Sequence, residues 1–205
     1  MKKLLCFTLL IPAISFGQQN KFAQLGEELP TPNEYRNAAG APGHNYYQQK
    51  ADYKIDVSIN DQTQRLSGVE TITYTNNSPD QLEYLWIQLD QNVRAKDSDS
   101  KLIEVERMED FRSIDDISKK FLDYDGGFKI EEVTSTSGKN MSYAINKTML
   151  RINLEQPLKA NTSISFKIKW WYNINDRMKI GGRSGYEYFE DEDNYLYTIA
   201  QWFPR

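Results

Sequence analysis

Beyond about position 50, apolar and polar residues alternate with a period of two over most of the chain. Tyr53, Ile55, Val57 and Ile59 occupy every second position against Asp52, Lys54, Asp56 and Ser58, which predicts a strand with one apolar face. The polar run Asn60 to Gln64 predicts a turn, and residues 65–76 return as the second arm of a hairpin. Asn77-Ser78-Pro79-Asp80 ends that arm, because proline lacks the ladder N–H and Asn, Ser and Asp favour turns. Residues 81–92 are apolar on both parities, with Leu82, Tyr84 and Trp86 on one and Leu85, Ile87 and Leu89 on the other, which predicts a central strand. Further strands are predicted over 128–136, 141–145, 149–154, 163–174, 186–189 and 195–203, separated by turn-forming residues.

One stretch breaks this rhythm. From Arg94 to Asp125 the sequence is charged and takes on helical spacing. Ser113 is placed to cap a short helix with Asp116 at the third position, and Ile114, Ile117, Phe121 and Leu122 then share a face. Such a helix serves as an amphipathic cover over the sheet or as a surface for a partner protein. The whole pattern predicts a mainly β fold, an antiparallel sandwich or saddle-shaped curved sheet with one short helical insertion.

The N-terminus reads differently. Met1, Lys2 and Lys3 precede an apolar run from Leu4 to about Ile14, followed by Ser15, Phe16, Gly17 and the polar Gln18. This is the pattern of a secretory signal peptide, expected over residues 1–17, and the run is too short for the roughly 20 helical residues a bilayer core requires. The chain is therefore expected to be exported, periplasmic or extracellular, with no membrane span after cleavage. A Gly-, Pro- and Ala-rich leader is expected over 18–45 and a folded β domain over 46–205. Cys6, the only cysteine, falls inside the apolar run, so the mature chain is expected to have neither disulfide nor thiolate metal site. Loss of Lys2 and Lys3 moves the formal net charge from -4 to about -6, which offers no footprint for nucleic acid and no polybasic anchor.

Composition also narrows the chemistry. A zinc hydrolase helix needs two histidines at i and i+4 together with a third ligand, and a nucleophilic triad needs a histidine held by an acid. The sequence holds one histidine, His44, in the leader. Neither catalytic nor metal-ligating residues are therefore expected in this segment, and no cofactor. The acidic stretches Asp123 to Asp125 and Glu190 to Asp193 offer oxygens for calcium but lack the twelve-residue loop pattern, and solvated turns are the simpler account. Aromatic residues crowd the last part of the chain, from Trp170, Trp171 and Tyr172 to Trp202 and Phe203. On a strand Trp170 and Tyr172 share one face and Trp171 points to the other, which leaves core packing, a domain-docking face and a sugar-stacking platform as accounts of them.

With the strands placed, the order of features resembles the N-terminal domain of aminopeptidase-N-type (gluzincin) zinc metallopeptidases. The resemblance runs from about Tyr46 to Arg205. It rests on the alternating strand at Tyr53 to Ile59, the returning strand with its glycine at Leu66-Ser67-Gly68-Val69, the strand Leu82 to Ile87, the long strand from Ser163 to Tyr172, and the closing Gln201-Trp202-Phe203-Pro204-Arg205. It implies a β-rich saddle-shaped domain packed on a catalytic domain of the same parent chain, which would carry the zinc ion and act on peptides; this segment is then expected to be a fragment lacking that domain. It also implies a substrate-binding role for Gln201 toward the free α-amine of a peptide. Thr198-Ile199-Ala200-Gln201 matches the family sequence at its first and last positions and departs at Ile199, and strand periodicity places Ile199 and Gln201 on one face. The alternative is a secreted β-sandwich module that binds glycan or protein ligands.

Overall fold

The computed structural model describes residues 32–100 and 123–205, and over them the alternating segments form nine strands. The signal-peptide run and the helix expected from Ser113 to Leu122 lie outside the described residues. The chain divides into two compact units, one ending at Tyr46 and the other running from Tyr47 to Arg205. In the first, the Asn33 side chain accepts hydrogen bonds from the backbone N–H groups of Tyr35 and Arg36, and the Arg36 guanidinium lies 4.9 Å from the ring centre of Tyr46.

The second unit holds the sheets. Strands β1 (Lys50–Asn60), β2 (Arg65–Asn76), β7 (Thr162–Asn173) and β4 (Lys129–Ser135) form one sheet in the order β1-β2-β7-β4. Strands β3 (Leu82–Gln88), β6 (Met149–Leu158) and β5 (Tyr143–Asn146) form a second in the order β3-β6-β5. A hairpin of β8 (Gly185–Phe189) and β9 (Asn194–Thr198) stands apart, reached from β7 through a single helical turn, α1 (Arg177–Ile180). Every strand pairing is antiparallel. The predicted mainly β, antiparallel architecture is what the chain adopts.

Period-two burial follows the sequence closely in β2 and β7. Leu66, Gly68, Glu70 and Ile72 turn inward from β2, and Phe166, Ile168, Trp170 and Tyr172 from β7. Leu85 and Ile87 of β3 and Leu150 and Ile152 of β6 meet them from the second sheet, so both inner faces share one core. The largest fully buried side chain in it is Trp170, and it needs a gap in the opposite strand. Gly68 provides that gap: it pairs with Trp170, and a Cβ there would come within 2.5 Å of the indole ring. Phe128 packs edge-on against both Trp170 and Tyr172, with ring centres 5.5 and 5.1 Å away.

At the far end of β2, fully buried Asn76 ties three connections together. Its Nδ2 donates to the carbonyls of Asp80 at 2.7 Å and Leu158 at 3.2 Å, while its Oδ1 accepts from the Ser78 hydroxyl at 2.6 Å and the Gln49 amide at 3.1 Å. This satisfies a polar side chain that would otherwise be costly in the core.

Two sequence expectations are corrected. β3 is an edge strand, not a central one: its second apolar parity, Tyr84 and Trp86, faces outward and is about half exposed. Tyr84 is covered instead by the Arg151 guanidinium, 4.1 Å from its ring centre. The last strand ends at Thr198 and not near Phe203, because the backbone turns at Gln201, where φ is +51°.

Gly68→Val should destabilise the chain by about 1–3 kcal/mol, since the added side chain meets the Trp170 ring in a filled core. Val69→Thr, one residue away on the outer face, should change stability by less than about 0.5 kcal/mol. Urea unfolding followed by far-UV circular dichroism reads both; a Gly68→Val midpoint equal to wild type would contradict this packing.

Candidate functional site

Residues 199–205 follow β9 and cross from one sheet to the other. Trp202 leans on Trp170 with ring centres 6.3 Å apart, Phe203 packs edge-on against Tyr53 of β1 at 5.3 Å, and Pro204 is fully buried. Arg205 then exchanges two backbone hydrogen bonds with Gln88 of β3, 2.5 and 3.1 Å long, the arrangement of a hydrogen-bonded antiparallel pair. This strap thus contacts β1 and β7 in one sheet and β3 in the other. The side chains of the turn after β3 hold it in place. Asp90 receives the Arg205 Nε–H at 2.8 Å and the Gln88 amide at 2.6 Å, and buried Gln91 donates from Nε2 to the carbonyls of Ala200 and Gln201 at 2.9 and 3.1 Å.

Gln201 sits at the bend of this strap. It is exposed and in the left-handed region, an uncommon conformation for a residue other than glycine. Because β9 has already ended, strand periodicity does not set the direction of its side chain; the two carbonyl contacts from Gln91 fix its backbone. Beside it, Trp202 lines an open apolar groove of about 500 Å³ together with Val57, Ile59, Leu66, Tyr197 and Ile199. Val57 and Ile59 are nearly half exposed, so the apolar parity of β1 that the alternation marks as a buried face is only partly covered.

The aromatic residues separate by face. Trp170 and Tyr172 belong to this chain's own core, which removes them from any exposed docking or stacking surface. Trp171 points to the other side of the sheet, where Arg65 lies 3.9 Å from its ring centre. Tyr186, Tyr195 and Tyr197 pack against one another on the β8–β9 hairpin, while Tyr188, Phe189 and Leu196 remain exposed.

The acidic stretches have partners of their own. Asp125 takes the Lys129 ammonium at 2.5 Å, and Asp123 takes Lys96 at 2.6 Å. Burial pulls the Asp125 carboxyl upward, but hydrogen bonds from Lys129 and from the Gly127 and Lys96 backbones outweigh it and hold it below the usual carboxylate range. The Asp193 carboxylate accepts the Tyr188 hydroxyl at 2.7 Å. Among the described residues no three His, Cys, Asp or Glu side chains converge, and His44 is exposed in the first unit. No helix among them is long and apolar enough to cross a membrane. Sequence reasoning singled out Gln201 but missed Asp90, Gln91 and Glu70; the run Leu89-Asp90-Gln91-Asn92 was read as the end of a strand, and nothing in its spacing marks it as a clamp.

No protein-family model matches the sequence, and no curated protein does. Among solved structures, the chain is similar in part to a point mutant of an M1 zinc metallopeptidase from Deinococcus radiodurans, with 10% identity, a TM-score of 0.39, and coverage of 66% of this chain and 23% of that one. An M1 zinc metallopeptidase mutant from the same organism bound to a Tyr-Ser-Ala substrate gives 11% identity, a TM-score of 0.40, and coverage of 72% and 26%. A two-domain M1 zinc metallopeptidase mutant bound to L-arginine gives 11% identity, a TM-score of 0.40, and coverage of 73% and 28%. The chain therefore spans about a quarter of the length of these structures.

Proposed function

We propose that this chain is the non-catalytic N-terminal β domain of an exported zinc metallopeptidase of the aminopeptidase type, bracing a catalytic domain and helping to position the peptide substrate. The observation that carries the reading is the uncovered apolar groove of Val57, Ile59, Leu66, Tyr197, Ile199 and Trp202 next to Gln201. An apolar concavity of this kind loses water favourably when another surface covers it, and large exposed apolar patches mark interaction sites. A catalytic domain seated there brings its active centre beside the strap. The strap then presents Gln201 from a backbone held at two carbonyls by Gln91. The zinc ion and the water it activates belong to the catalytic domain in this reading; with one histidine, and its only cysteine at position 6, this chain supplies no catalytic zinc site.

Gln201 contributes recognition only. Its amide oxygen accepts a hydrogen bond from an ammonium, without the added attraction a carboxylate would give. The positive φ at this position favours the same idea, since residues held in sparsely populated backbone regions cluster at functional sites.

Two measurements test the reading. The chain by itself should retain no stoichiometric zinc after dialysis and hydrolyse no aminoacyl chromogenic substrate; turnover that a chelator abolishes would contradict it. In the complete enzyme, Gln201→Ala should lower kcat/KM about tenfold to a hundredfold for peptides with a free N-terminus, the loss of a hydrogen bond to a charged group worth roughly 1.5–3 kcal/mol. Gln201→Glu should be tolerated. If Gln201→Ala leaves the ratio of kcat/KM for a free peptide to that for its N-acetylated counterpart unchanged, Gln201 is not part of the substrate site.

A further inference from the structure

Glu70 is fully buried on the core face of β2, and among the described residues neither of its carboxylate oxygens has a hydrogen-bond partner. A carboxylate in that position has lost its water and gained nothing in return, so the neutral acid is the form the site accommodates. The strand register shows what surrounds it. Glu70 lies opposite Ile55 of β1 and Ile168 of β7; two residues to one side Gly68 pairs with Trp170, and two residues to the other Ile72 pairs with Tyr53. Trp170 and Tyr53 are the two side chains on which the strap rests, through Trp202 and Phe203 respectively. The strap's two aromatic contacts therefore flank the buried acid.

We propose that Glu70 is a protonation latch for the strap: neutral, it lets residues 199–205 seat across the two sheets, and ionised, it drives them off so that water reaches the carboxylate.

Among the described residues, the charged and titratable groups around it leave no other group to compensate the ion. From β1 the facing group is Tyr53, whose hydroxyl is pushed up by its own burial and then by the negative charge of Glu70. The core-facing residues of β7 beside it, Phe166, Ile168 and Trp170, do not titrate, and the Trp170 indole N–H is itself without a partner. From the strap comes Arg205, whose charge is felt at Tyr53 but whose Nε–H is committed to Asp90. The inner residues of β3 and β6, Leu85, Ile87, Leu150 and Ile152, are apolar.

Burial alone pushes the Glu70 carboxyl up to about 8 from an ordinary value of 4.5. A carboxyl raised on folding contributes stability that is fully present below about 4.5 and is lost as the pH rises through about 8. The strap is accordingly seated at neutral pH and below and loosens at alkaline pH. The latch concerns this chain alone and stands whether or not the metallopeptidase reading does; where that reading holds, seating of the strap also governs how Gln201 is presented.

Hydrogen exchange of the full chain tests it, followed by mass spectrometry on the segment containing 199–205 and corrected for intrinsic exchange rates. Between pH 7 and pH 9.5 the protection of this segment should fall at least tenfold in the wild type and stay constant in Glu70→Gln, which keeps the shape of the neutral acid. Constant protection in the wild type, or an equal fall in Glu70→Gln, overturns the proposal. Should Glu70→Gln not fold, the wild type still decides: the Glu70 carboxyl carbon resonance must titrate over the same pH interval as the loss of protection. A resonance that titrates near 4.5 overturns the latch.

Discussion

The seating of Trp170 on the bare backbone of Gly68 is the contact on which the rest of the second unit depends. An indole needs room that a pleated sheet offers only where the facing residue has no side chain, and the register between β2 and β7 puts Gly68 there. Once placed, Trp170 supplies a surface for its neighbours on β7 and β4 and for the strap, which no hydrogen-bond ladder joins to β7. Phe128 packs on it at the entry to β4, Tyr172 stacks beside it, and Trp202 reaches it from the strap. The ring thus links β4, β7 and the C-terminal strap through dispersion and exclusion of water.

Polar contacts decide direction where this apolar packing does not. Gln91 and Asp90 hold the strap by its backbone and its arginine, and the paired bonds between Gln88 and Arg205 align it antiparallel to β3. Asn76 does the equivalent at the other end of β2, where the satisfied amide ties the turn after β2 to the end of β6. Glu70 departs from this pattern, as the Trp170 indole N–H and the Tyr172 hydroxyl also do: it is a core carboxyl with neither a donor nor a counter-ion among the described residues. It lies beside the C-terminal strap, which contacts both sheets.

The strands and the first hairpin, β1 with β2, were legible in the sequence because period-two alternation records which parity is inward. β2 and β7 follow it residue by residue. Alternation does not record what covers a face. Tyr53, Val57 and Ile59 carry the apolar parity of β1, yet the side chains above them leave much of that parity open. Nor does it separate a doubly buried strand from an edge strand whose outer parity carries exposed aromatic side chains, which is how Tyr84 and Trp86 suggested a central position for β3. The strap was hidden for a different reason. Its path depends on long-range bonds from Asp90 and Gln91 and on a positive φ at Gln201, and neither leaves a local pattern. The sequence resemblance drew attention to Gln201; only the coordinates place it beyond the end of β9.

Under the proposed function, the groove lined by Ile59, Tyr197 and Trp202 is covered by a second domain of the same polypeptide. Hydroxyl-radical footprinting of this chain, alone and joined to the proposed catalytic domain, measures that cover. Oxidation of Ile59, Tyr197 and Trp202 is expected to fall severalfold when that domain is present. Equal oxidation of these three side chains in both would contradict it.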